Sequence, residues 1–165
     1  MNTTPFRNAQ TNDMSTADRE IVFTRLLDAP RELVFDVWTD PKHIANWWGP
    51  EGFTNTISEM DVRPGGVWRF VMRGPDGTEY PNKIVYDEIV RPEHIMYEHG
   101  ADGDDDAGNF SVMATFAEQD GKTHLTMRIL FKTVEECNRK KAFGAIEGGN
   151  STMDKLEAYL AKMER

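Results

Sequence analysis

The first regularity along the chain is an alternation of apolar and polar residues. In the stretch REIVFTRLL from Arg19, residues Ile21, Phe23 and Arg25 fall on one face and Val22, Thr24 and Leu26 on the other. A period of two over a β-branched and aromatic run predicts a strand with one face in a core. The period then lengthens. Leu33, Val34, Val37 and Trp38 recur at helical spacing behind Pro30, whose missing N–H suits the first turn of a helix. Asp40-Pro41 reads as a cap followed by a first-turn proline, opening a second short helix with Ile44, Trp47 and Trp48 before Gly49-Pro50 ends it. Adjacent helical side chains are about 100° apart. One of the two tryptophans can face the core and the other cannot easily follow it; the pair is expected to anchor the helix to the sheet, with a lip of the pocket as the alternative.

From 53 to 131 the period returns to two. Strands are predicted over 54–62, 67–73, 80–90, 94–99, 109–117 and 123–131, separated by turn-formers such as Pro64-Gly65-Gly66, Gly74-Pro75-Asp76-Gly77 and Asp120-Gly121. Their spacing implies consecutive antiparallel hairpins. Alternation puts Trp68, Phe70 and Met72 on the concave side, with Arg69 and Arg73 toward water. The same parity turns Phe110, Val112, Ala114 and Phe116 inward, then Leu125, Met127, Ile129 and Phe131; Ile95, Tyr97 and His99 share a face. The segment 80–90 is apolar on both sides. If Ile84 and Tyr86 face in, Glu88 follows them; if Val85 and Ile89 do, Asp87 is the inward acid.

Beyond Phe131 the helical period resumes. Thr133 with Glu136 forms a capping box, and 134–163 is predicted helical with a break or close-packing point at Gly144, Gly148 and Gly149. Met153, Leu156, Tyr159, Leu160 and Met163 make an apolar stripe toward a sheet. Residues 1–18 show no periodicity and are expected to be a flexible tail before a single domain, 19–165. Strand, two short helices, six strands and a long helix give an α+β fold: a strongly curved antiparallel sheet of about seven strands wrapped around the C-terminal helix. The space between sheet and helix is either filled by side chains or left as a cavity.

Composition works mainly by exclusion. The 165 residues include 4 Trp, 4 Tyr and 9 Phe, enough for a real core, and carry a net charge of −9. The acidity argues against nucleic-acid binding, which needs a basic face. No apolar run approaches the roughly 18–20 residues of a membrane span. The single cysteine, Cys137, has no internal disulfide partner and is placed on an outer helical segment. With no secretory signal, a cytoplasmic location is expected. Four of the negatives, Asp102, Asp104, Asp105 and Asp106, fall in one loop. That loop lacks the register and terminal Glu of a calcium site and reads as a solvated turn. The histidines, His43, His94, His99 and His124, lack metal-binding spacing. No metal or cofactor is expected.

Five strings together resemble one family: APRELVFDVWTDPKHIANWWGP at 29–50, RPGGVWRF at 63–70, MRGPDGTEYPNKIVYDEI at 72–89, RPEHIMYEHG at 91–100 and FGAIEGGNSTMDKLEAYL at 143–160. In that order they resemble the activator of heat shock protein 90 ATPase-like family, within the START-like (SRPBCC) superfamily. The resemblance implies a helix-grip fold and members that bind hydrophobic small ligands, with cyclase, aromatase and lipid-carrier relatives. The family name comes from a co-chaperone whose C-terminal half is such a domain; with no second domain ahead of residue 19, a chaperone partner is not expected here.

The leading functional expectation is non-catalytic binding of a hydrophobic or aromatic small molecule. The candidate ligand-binding residues are Trp48, Phe53, Trp68, Phe70, Met72, Tyr80, Glu88, Tyr97, His99, Met127 and Phe143. They combine flat aromatics and adaptable Met with a few polar groups to fix orientation. Two alternatives stand beside it. One is a polyketide cyclase or aromatase-like enzyme using Glu88 or His99 as acid or base. The other is a chaperone-interaction module. A homodimer is compatible with the domain's size and family.

Overall fold

Seven strands form one antiparallel sheet in the spatial order β1-β7-β6-β5-β4-β3-β2. The structure, a computed structural model, describes residues 14–103 and 108–163. A 3-10 helix at Met14–Arg19 leads into β1 (Glu20–Leu27) at one edge of the sheet. The helices α1 (Arg31–Thr39) and α2 (Pro41–Ile44) then carry the chain to the opposite edge. From there β2 (Thr54–Met60), β3 (Val67–Arg73), β4 (Glu79–Val90), β5 (His94–Ala101), β6 (Phe110–Gln119) and β7 (Lys122–Leu130) return hairpin by hairpin, and β7 pairs with β1. Two helices close the chain, α3 (Val134–Ala142) and α4 (Ala145–Met163). The expected α+β architecture, a curved sheet gripping its C-terminal helix, is the observed one.

The predicted caps fall close to their places. The Asp40 carboxylate accepts the Lys42 backbone N–H at 2.9 Å with Pro41 in the first turn of α2. The Thr133 hydroxyl accepts the Glu136 N–H at 3.0 Å at the start of α3. Pro30 stands one position earlier than expected, as the N-cap of α1, where its carbonyl accepts from Leu33 and Val34. Gly144, at φ +91°, breaks the predicted long helix into α3 and α4. Such a left-handed residue ends a helix at little cost only when it is glycine.

Several expectations are corrected. Residues 14–18 belong to the 3-10 helix, not to a tail; Arg19 at its end donates through Nη1 to the Phe131 carbonyl at 2.6 Å. Residues 1–13, and Asp104, Asp105 and Asp106 of the acidic loop, lie outside the described residues. Cys137 is fully buried, its thiol 3.9 Å from the Glu20 carbonyl, and burial pushes its pKa up. The two tryptophans are both interior, Trp47 at 0% and Trp48 at 6% exposure. Regular helix ends at Ile44, so the 100° rule does not govern the turn that follows. Trp47 donates its indole N–H to the Val37 carbonyl at 3.0 Å.

The ambiguity of the fourth strand is resolved by a bulge. Tyr86 pairs with Tyr97, but the next pair is Glu88 with Met96, so one residue of β4 is unmatched. An extra residue reverses the parity beyond it. Ile84, Tyr86 and Ile89 therefore all face the core, and Asp87 and Glu88 lie on the convex side beside Glu98. Neither open alternative for an inward acid holds. Glu88 instead accepts from His94 Nε2 at 2.5 Å.

Candidate functional site

The helix α4 presents two different faces to the sheet along its length. Its C-terminal half fills the concavity with Met153, Leu156 and Leu160, each at most 2% exposed. One turn before Met153 the same stripe is continued by Gly149, Gly148 and Ala145. Residues without side-chain bulk cannot fill the concave sheet beneath them, and a cavity of about 370 Å³ opens there. That volume lies within the range of small-molecule sites.

The sheet side of the cavity is built by inward positions of β1, β3, β6 and β7: Phe23, Met72, Phe110, Val112, Met127 and Ile129. The far wall is the 48–50 turn, where Trp48 presents its ring. This turn is tied down on both sides. Asn55 donates to the Trp48 carbonyl at 2.6 Å, Lys155 Nζ donates to the Pro50 carbonyl at 3.3 Å, and the Glu51 N–H donates to Ser151 Oγ at 2.8 Å. The last two bonds fasten the turn to α4, so the wall and the helix hold one geometry. At the mouth stand Lys140, from the last turn of α3, and Phe143, its C-cap residue, 83% exposed.

His99 is the polar side chain deepest in this wall. Asn82 commits its amide N–H to the Tyr80 carbonyl at 2.7 Å, which turns its Oδ1 toward His99 Nε2 at 2.9 Å. An acceptor there requires the proton on Nε2 and leaves the lone pair on Nδ1. The imidazole lies between the rings of Phe70 and Phe110, at centroid distances of 5.9 and 4.9 Å. Burial, and secondarily the positive charge of Lys140, lower its pKa from 6.5 to about 4. His99 is therefore neutral at physiological pH, a fixed acceptor and not a cation.

Of the candidates named from sequence, Trp48, Met72, His99, Met127 and Phe143 line the cavity. Trp68 and Phe70 form the layer behind it: Trp68 is 5.1 Å from Trp48 and 4.5 Å from Phe70, ring centre to ring centre. Tyr97 lies against Tyr86, 1% exposed and away from the cavity, with its hydroxyl unpartnered among the described residues. Phe53 and Tyr80 pair with each other at 6.1 Å outside it, and Tyr80 is 47% exposed. Glu88 is on the convex face. Sequence reasoning passed over Phe23, Lys140 and the glycines Gly148 and Gly149, all of which line the cavity. The glycines carried a usable signal, since they interrupt an apolar stripe at the positions that should have faced the sheet.

Among the described residues no carboxylate lines the cavity, and His99 is partnered by an amide. Among the described residues no three His, Cys, Asp or Glu side chains are placed to hold a metal ion. No helix among them is long and apolar enough to cross a membrane.

Comparison with known proteins agrees with this architecture. A solved structure from Mycobacterium smegmatis superposes with a TM-score of 0.79 at 25% identity, covering 90% of this chain and 94% of that one. A solution structure from Arthrobacter aurescens gives 0.83 at 22% identity, with 91% and 90% covered, and shares the fold. A crystal structure of an AHSA1 protein from Silicibacter pomeroyi gives 0.72 at 25% identity, with 88% and 99% covered. No curated protein matches the chain in sequence. Residues 28–161, from the end of β1 to the last turns of α4, match the family described as Activator of Hsp90 ATPase homolog 1-like protein, and the chain belongs to that family.

Proposed function

We propose that this protein binds a hydrophobic or aromatic small molecule, without catalysis, in the cavity between the sheet and the N-terminal half of α4. The observation that carries the reading is the cavity of about 370 Å³ under Gly148 and Gly149, walled by Trp48, Met72, Phe110 and Met127. Burying an apolar ligand there contributes about 25 cal/mol per Å² of surface removed from water. The thioethers adapt to its shape and the aromatic rings give flat contact. Neutral His99 serves as an acceptor that orients a ligand hydroxyl or N–H. Its partner is Asn82, not a carboxylate, which removes the usual support for acid–base cycling.

The test is a thermal-shift screen with flavonoids, fatty acids and aromatic polyketides, on the native chain and on Met127→Trp, which fills the cavity. A ligand at about 100 times its Kd adds roughly 2.7 kcal/mol, several degrees for a domain of this length. Shifts of that size on the native chain and their loss in the filled variant are expected. A panel that moves the native chain by no more than about a degree overturns the reading.

A further inference from the structure

The protein carries a charge of −9, yet among the described residues the side chains lining its cavity include one cation, Lys140, and no acid. The Lys140 ammonium forms no ion pair or hydrogen bond among the described residues, and it stands where the apolar wall meets water. It is flanked in the last turn of α3 by Arg139 and Lys141, so the mouth is the basic end of that helix. Glu147 is one nearby acid among the described residues: its carboxylate lies 3.8 Å from where a Cβ on Gly144 would be, outside the lining.

We propose that the ligand is an amphipathic anion, an alkyl or aryl carboxylate, whose carboxylate rests on Lys140 at the mouth while its apolar body enters toward Met72 and Met127. This deepens the binding reading above and depends on it. The geometry separates the two ends of such a molecule. The interior offers thioethers, aromatic rings and a neutral imidazole, none of which compensates a buried negative charge. The mouth offers an ammonium beside low-dielectric walls, which focus its field into the opening. That field reaches inward, since Lys140 contributes to holding His99 unprotonated. Phe143 stands beside Lys140 and extends the apolar surface to the point where the charge begins. An aliphatic amine would meet the reverse arrangement, with its cation against Lys140, Arg139 and Lys141.

The experiment compares matched ligands by calorimetry at low salt and pH about 8: dodecanoate against dodecanamide, and naphthylacetate against naphthylacetamide. In the native chain each carboxylate is expected to bind about tenfold tighter than its amide, a difference of roughly 1.4 kcal/mol that salt weakens. In Lys140→Met the preference of carboxylate over amide falls to parity; in Lys140→Arg it is retained. Melting temperatures of both variants check that the fold is intact, as expected for an exposed position. If the amides bind and the carboxylates bind no better, this inference is overturned and the binding reading stands. A preference that survives in Lys140→Met overturns the role of Lys140. If neither member of either pair binds, this inference is overturned, while the binding reading stands or falls on its own ligand panel.

Discussion

Gly149 lies directly against the ring of Phe23: a Cβ built on Gly149 would stand 2.1 Å from Phe23 Cζ and 2.7 Å from both Cε atoms. The absent side chain brings α4 onto β1 at this point, and it leaves the neighbouring volume open as the cavity. Gly148, one residue earlier, has no such constraint, since its Cβ would meet Pro50 Cγ at an ordinary 3.5 Å.

The two glycines should therefore respond to alanine with opposite signs. In a helix interior Gly→Ala is normally worth about 0.5–1 kcal/mol of stability. Gly148→Ala is expected to gain that amount. Gly149→Ala must displace a buried aromatic ring, an overpacking cost of about 1–3 kcal/mol that reverses the gain. Urea denaturation of the two variants measures this, and a stabilised Gly149→Ala protein would show that Phe23 can tip into the cavity without penalty.

Tyr97 offers a gain of a different kind. Its hydroxyl is buried with no partner among the described residues, and burial raises its pKa. An unpaired buried hydroxyl costs on the order of 1–3 kcal/mol. Tyr97→Phe keeps the ring contact with Tyr86 and removes the hydroxyl, so the melting temperature should rise by about 2–4 °C for each kcal/mol recovered. A fall instead would mean that a buried water bonds the hydroxyl.

His99 and Asp87 act on stability with opposite signs over an overlapping pH range. The His99 pKa falls from 6.5 to about 4 on folding, so the unfolded chain takes up the proton first as pH drops. Its contribution is complete above pH 6.5 and is lost as pH falls toward 4, at most about 3 kcal/mol. Asp87, half-buried beside Glu98 and Glu88, is raised from 3.8 to about 6 by burial first and those charges second. Its folded state holds the proton longer, so its contribution is complete below pH 3.8 and is lost as pH rises through 6. Asp87→Asn should therefore gain about 1 kcal/mol at pH 7, after allowance for solvent screening, and nothing near pH 3.5. His99→Gln should flatten the acid side of the stability curve. Denaturant midpoints across this pH range test both. The residues lie on opposite faces of the sheet, and their effects should add in the double variant.

The parts of this molecule that a single period encodes were legible in the sequence. The strand at 67–73 coincides with β3 to the residue, and the inward faces of β3, β5, β6 and β7 follow from parity alone. Parity failed at Asp87, because a bulge is set by pairing with β5 and leaves no mark on the local pattern. Distance across the sheet was likewise unreadable. Trp68 and Met72 share a face and an apolar character, but Trp48 covers one and leaves the other open to the cavity. The cavity itself is defined by what α4 lacks, whereas the reasoning from residue types looked for what was present.

Phe143 tests the mouth of the site. It lines the cavity yet is 83% exposed, an arrangement that holding the fold together does not require. Truncating a side chain so exposed should leave stability within about 0.5 kcal/mol of the native chain. A ligand reaching the mouth would lose apolar contact with the ring, which at about 25 cal/mol per Å² over roughly 40 Å² weakens binding about fivefold. Phe143→Ala is therefore expected to keep its melting temperature and to bind naphthylacetate about fivefold more weakly. Val134→Ala, at another exposed apolar residue that does not line the cavity, should bind as the native chain does. Equal weakening in both variants would assign the effect to a general loosening of α3. No weakening in Phe143→Ala would place the bound molecule wholly inside the cavity, short of the ring.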